Sequence, residues 1–196
     1  MRQPRQPRRC RLRSYGMRDH PVSDSDKVGI DPARLQWLLD REELRALSAT
    51  YMRGLDRSDE ALVRSVFTDD ATTHYGSFTG GPDEMAGMAM KALSAYSDTQ
   101  HLLGQINLDI NGDEATGEVY FQAYHKHATE GFDRFICGRY IDRYRKVDGS
   151  WRMSHRTEAV DWSRTEPIAD DYLHLRPHTV RGTRDTTDLS YRPHEA

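Results

Sequence analysis

From Leu35 to Leu55 apolar residues return every three to four positions, at Leu35, Leu38, Leu39, Leu44, Leu47 and Tyr51. That is the period of a helix with one buried face. Asp31-Pro32 places an N-cap and a first-turn proline in front of it, and Asp40 marks a point where the helix could break in two. Asp59 can cap a second, short helix reaching Phe67, and Pro82 opens a third through Met85, Met88, Ala89, Ala92 and Leu93 to about Tyr96. A short strand near 71 to 79 separates the last two helices.

After Tyr96 the period changes to two over four runs, about 99 to 110, 115 to 129, 132 to 146 and 151 to 162. The joints are Asn111-Gly112-Asp113, Glu130-Gly131 and Asp148-Gly149, the short glycine-containing loops that hairpins favour. Helices followed by consecutive hairpins predict an α+β fold, with three N-terminal helices on a strongly bent, mostly antiparallel sheet.

The flanks lack such periods. Residues 1–30 hold six arginines before Met17 and then a Ser/Asp/Gly mixture with little to bury, which predicts a disordered leader; Met17 is an equally good start, in which case the arginine cluster is not part of the protein. Residues 167–196, rich in Pro, His, Arg, Asp and Thr, read as an extended tail in which Tyr172, Leu173 and Leu175 could dock on the domain or on a neighbouring subunit. The domain itself spans 31–166, without internal repeats.

Composition narrows the function classes. With 196 residues, 36% hydrophobic and 30% charged, the chain suits one core plus tails. A net charge of −3 gives no field that would draw nucleic acid or an anionic membrane. Two cysteines, Cys10 and Cys137, make no disulfide framework and suit a reducing cytoplasm, and no apolar run approaches the roughly 18 residues of a membrane span. His125-Lys-His127 puts two imidazoles on one strand face, but zinc needs three or four ligands and neither HExxH nor a Cys pair is present, so no metal is expected. Phosphate-cradling loops, dinucleotide fingerprints and nucleophile elbows are missing too, which leaves nucleotide cofactors and covalent catalysis without a motif.

Two residues stand out chemically. Asp56 closes the long helix where partial negative charge disfavours a carboxylate unless a donor or cation compensates; spacing alone also allows a solvated aspartate that begins the loop. His101 opens a strand in which simple alternation sets it with Gln105, Asn107 and Asp109, opposite Leu102, Ile106, Leu108 and Ile110. If helix end and strand start meet, the aspartate would fix the imidazole's tautomer and make a general base of it. An ordinary half-exposed strand histidine is the alternative.

From about Leu35 to Trp162 the chain resembles the SnoaL-like branch of the nuclear transport factor 2-like superfamily, which includes scytalone dehydratase, bile acid 7α-dehydratase and hexachlorocyclohexane dehydrochlorinase. The resemblance lies in Tyr51-x4-Asp56, Phe67-Thr-Asp-Asp-Ala71, Tyr75-Gly-Ser-Phe-Thr-Gly80, His101 with its strand, and Gly138-Arg-Tyr140-x3-Tyr144 running into Asp148-Gly-Ser-Trp151-Arg. It implies a cone-shaped roll and a catalytic Asp56–His101 dyad, with Tyr51 polarising a carbonyl or protonating a leaving oxygen and Arg156 lining the pocket. Alternation puts Arg156 opposite Trp151 and Met153, so its role would require a bulge.

The implied reaction is cofactor-independent elimination or isomerisation of a small hydrophobic, cyclic molecule, with His101 taking the proton and Asp56 stabilising the imidazolium. The same fold also implies two alternatives: a non-catalytic assembly module like the β subunit of aromatic-ring-hydroxylating dioxygenases, and a polyketide cyclase or steroid-type isomerase. The resemblance also implies dimerisation through the outer sheet face, and with Tyr120, Gln122 and Tyr124 against Phe121 and Ala123 giving both faces of that strand something to bury, we expect a homodimer or homotrimer.

Overall fold

The computed structural model describes residues 29, 31–169 and 172–193. The predicted leader lies outside the described residues, Gly29 excepted. Helix α1 spans Pro32–Asp56 without a break, capped by Asp31, whose carboxylate accepts from the Ala33 amide at 3.0 Å. Its buried stripe runs through Asp40, Leu44, Ser48, Tyr51, Met52 and Leu55, while Leu35, Leu38 and Leu39 stay about half exposed. Helix α2 (Glu60–Ser65) begins at an Asp59 cap, and α3 (Pro82–Leu93) begins where the Glu84 carboxylate accepts from the Gly81 amide at 2.9 Å.

Asp40 does not interrupt α1; it anchors it. Its Oδ1 accepts from the Trp151 indole at 2.9 Å and from Gln36 at 3.1 Å, and pairs with Lys146 Nζ at 2.8 Å. Replacing Asp40 with alanine should strip the buried indole N–H and the lysine of their acceptor and cost about 1–3 kcal/mol in urea unfolding. An unchanged midpoint would show that the helix is held by its apolar stripe alone.

Strands β1 (Phe67–Tyr75) and β2 (Phe78–Gly80) form a hairpin, and β3 (Tyr96–Asn111), β4 (Glu114–His127), β5 (Phe132–Val147) and β6 (Ser150–Pro167) form the meander. The sheet order is β2-β1-β6-β5-β4-β3, and every pairing is antiparallel except β1 with β6. The α+β class and the mostly antiparallel sheet predicted from the pattern are therefore present. At the β5–β6 joint Asp148 and Gly149 both take positive φ, 51° and 77°, the requirement of a two-residue type I′ turn.

Two-for-one bulges bend the strands and redirect side chains. Between Leu103 and Ile106 of β3, Gly104 and Gln105 oppose only Tyr120, and a Cβ on Gly104 would come within 2.9 Å of the Tyr120 Cβ. Simple alternation fails here. His101 and Leu103 share the inner face with Ile106, Leu108 and Ile110, whereas Leu102 turns outward. A second bulge, at Ser154 of β6, is the one Arg156 needed, and it brings that residue to the interior beside Trp151 and Met153.

The core between helices and sheet is built from Leu44, Val63, Met85, Val119, Trp151 and Met153, with Phe121 stacked on Tyr140 at 4.4 Å. The outer sheet face exposes Leu102 and Trp162. Beyond Pro167 the tail is not extended throughout. A short helix α4 (Tyr172–Leu175) leaves Tyr172 and Leu175 exposed, and the following residues fold back through polar anchors. Arg57 pairs with Asp188 at 3.0 Å, Arg53 donates to Ser190 Oγ at 3.0 Å, and Tyr191 donates to Asp59 at 2.7 Å.

Candidate active site

The end of α1 and the start of β3 meet at Asp56 and His101. Asp56 Oδ1 lies 2.7 Å from His101 Nδ1, and its Oδ2 accepts from the His101 main-chain amide at 2.9 Å. Both side chains are buried, so these two contacts supply the compensation a carboxylate at a helix C-terminus requires. With Nδ1 taken by the carboxylate, Nε2 is the nitrogen left for the cavity that His101 lines.

That cavity is about 200 Å³, below the roughly 300–1,000 Å³ of sites for drug-sized ligands, which limits an occupant to about one ring. Leu55, Met85, Met88, Ala92, Leu93 and Ile136 give it a mainly apolar wall. The polar groups in the wall are His101, His125, Tyr51, Tyr75, Tyr140 and Glu158. Tyr51 and Tyr75 share a hydrogen bond of 2.7 Å between their hydroxyls, and burial pushes the Tyr51 phenol up to about 12. At that acidity Tyr51 donates a hydrogen bond without readily giving up its proton.

His125 and His127, paired in the sequence as conceivable metal ligands, part company in the structure. The His125 ring stands edge-on to His101, centroids 5.3 Å apart, and burial followed by the neighbouring His101 drives its pKa down to about 4, keeping it neutral. His127 instead accepts from the Thr129 and Glu130 amides and shapes the hairpin turn. Among the described residues no three His, Cys, Asp or Glu side chains come together as a metal cage.

Arg156 is brought inside but not to the cavity wall. Its guanidinium is fully buried, donates to Asp142 through Nε at 2.8 Å and Nη2 at 2.6 Å, and lies over the rings of Tyr140 and Tyr51 at 4.1 and 4.5 Å. Tyr144 donates to the same carboxylate at 2.7 Å. Burial works against the charge of Arg156, but Asp142 outweighs it and holds the guanidinium protonated. The expected pocket arginine is thus a buried strut behind the tyrosines. Three wall residues escaped the sequence reading as site groups. Tyr75 and Tyr140 were fold markers, and Glu158 becomes an inward residue only once the Ser154 bulge is allowed, two positions after Arg156.

Residues 36–157 match the SnoaL-like domain profile, and the chain belongs to that family. Similar folds occur in hexachlorocyclohexane dehydrochlorinase LinA-type3 from Novosphingobium barchaimii, at TM-score 0.61 and 21% identity over 69% of this chain and 94% of the other. A structure named for scytalone dehydratase from Novosphingobium aromaticivorans gives TM-score 0.61 and 20% identity over 78% and 96%. One named for an aromatic ring hydroxylase from the same organism gives 0.60 and 21% over 68% and 96%. Comparison with curated proteins returns no match. Among the described residues no helix is long and apolar enough to cross a membrane.

Proposed function

We propose that this protein is a cofactor-independent acid–base enzyme, a lyase of the dehydratase type or an isomerase, acting on a small, mostly apolar, cyclic molecule. The observation that carries the reading is the His101 imidazole, fixed through Nδ1 by the buried Asp56 carboxylate and exposed to a one-ring apolar cavity. His101 Nε2 takes a proton from carbon next to a carbonyl, and Asp56 stabilises the imidazolium without itself being protonated. Tyr51, supported by Tyr75, donates a hydrogen bond to the carbonyl oxygen, where charge develops. The chemistry uses side chains alone, and the dehydrochlorinase and dehydratase names among the structural neighbours support elimination as the reaction type.

The apolar outer face and the neighbour named for a ring hydroxylase favour a second reading, in which the domain serves assembly. One experiment separates them. The protein and its His101→Ala variant are incubated with one-ring ketones bearing hydroxyl or chloride β to the carbonyl, and enone absorbance is followed. Elimination that disappears with His101 supports the enzyme; equal rates in both proteins would leave the scaffold.

A further inference from the structure

We propose that Glu158 is the general acid of this site, delivering the proton that lets an oxygen leaving group depart while His101 takes the proton from carbon; this rests on the elimination reading above. Glu158 lines the cavity with His101, and among the described residues no hydrogen bond ends on its carboxyl. Glu158 is half-buried with its side chain in the cavity wall, so its carboxyl is free to meet a molecule that enters the cavity in place of water. It sits between Tyr75 of β1 and Tyr140 of β5 in the strand register.

The charged and titratable surroundings suit this role. Burial raises the Glu158 carboxyl above the usual glutamate range, while the charges of His101 and Arg156 pull it down. Tyr51 from α1, Tyr75 from β1 and Tyr140 from β5 are all held above the usual phenol value by burial, so none of them faces Glu158 as an anion. His125 stays neutral. Each proton that arrives at His101 therefore makes Glu158 more acidic, which couples abstraction at carbon to protonation of the leaving oxygen.

For a β-hydroxy ketone the step balances as follows. The C–H bond breaks and its proton goes to His101 Nε2; that electron pair becomes the C=C bond; the C–O bond breaks, and its oxygen takes the Glu158 proton and departs as water. An imidazolium and a carboxylate remain, and transfer of the proton from one to the other through water restores the resting pair. The site would thus select one-ring β-hydroxy carbonyl compounds, whose poor leaving group needs an acid.

The test pairs 3-hydroxycyclohexanone with 3-chlorocyclohexanone, since chloride leaves without protonation. Glu158→Gln should slow loss of water by about 100-fold or more and loss of chloride by less than about threefold, whereas His101→Ala should abolish both. A Glu158→Gln variant that slows both equally, or neither, overturns the acid role while a His101-dependent chloride reaction keeps the base. Wild type that eliminates only chloride does the same, and wild type that turns over neither overturns both readings. Independently of any variant's folding, carboxyl 13C NMR of the wild type should show Glu158 titrating above the ordinary glutamate range; an ordinary midpoint overturns the proposal.

Discussion

Asp56→Asn is expected to lower turnover by roughly 100- to 10,000-fold while leaving the thermal midpoint nearly unchanged. The reason lies in which atoms the carboxylate serves. Asp56 accepts one hydrogen bond from His101 Nδ1 and another from the His101 main-chain amide. The amide can only donate, so an asparagine must turn its oxygen there and present its NH2 to Nδ1. That forces Nδ1 to accept and moves the ring proton to Nε2, the nitrogen facing the cavity. The base is then occupied by its own proton. Steady-state rates beside a melting curve check this, and a variant with wild-type turnover would show that Asp56 orients nothing.

The second large effect concerns stability. Asp142→Ala should destabilise the fold by about 3–5 kcal/mol, because it leaves the fully buried Arg156 charge without its bidentate partner. For a chain of this size that corresponds to a melting temperature lower by roughly 6–20 °C. Replacing both members, Asp142→Leu with Arg156→Met, should restore most of the loss, since paired removal spares the desolvation of both ions. Calorimetry of the three proteins decides the matter: single and double variants that melt alike would mean that the pair carries no special burden.

Much of the architecture could be read along the chain, because long periodic runs report faithfully on helices and meander strands. What could not be read was wherever one strand gains a residue on its neighbour. Period two has no means of registering the Gly104-Gln105 bulge, so it turned His101 away from Ile106, Leu108 and Ile110, with which it shares the interior. The parallel seam between β1 and β6 also left no trace, since its partners lie some eighty positions apart. Asp56 stood out as a carboxylate closing a marked helix and His101 as a histidine early in a marked strand, but spacing left both ordinary alternatives open, and only the family resemblance implied that the two meet. Asp142 did not stand out, because nothing in its own neighbourhood announces an arginine fourteen residues later. The contacts that hold the tail left no sign either: Arg53, Arg57 and Asp59 reach it through single polar contacts that carry no period.

The interior divides into two unequal parts. Asp142, Arg156 and Tyr144 form a braced frame whose every member is tied to another, whereas the α3 side of the chamber is furnished with Met85, Met88, Ala89 and Ala92. Thioethers bend and alanines can grow without disturbing a charge. The size and shape of the chamber can therefore change along that one helix while the ionisable side chains on the sheet, His101 and Glu158, stay where they are.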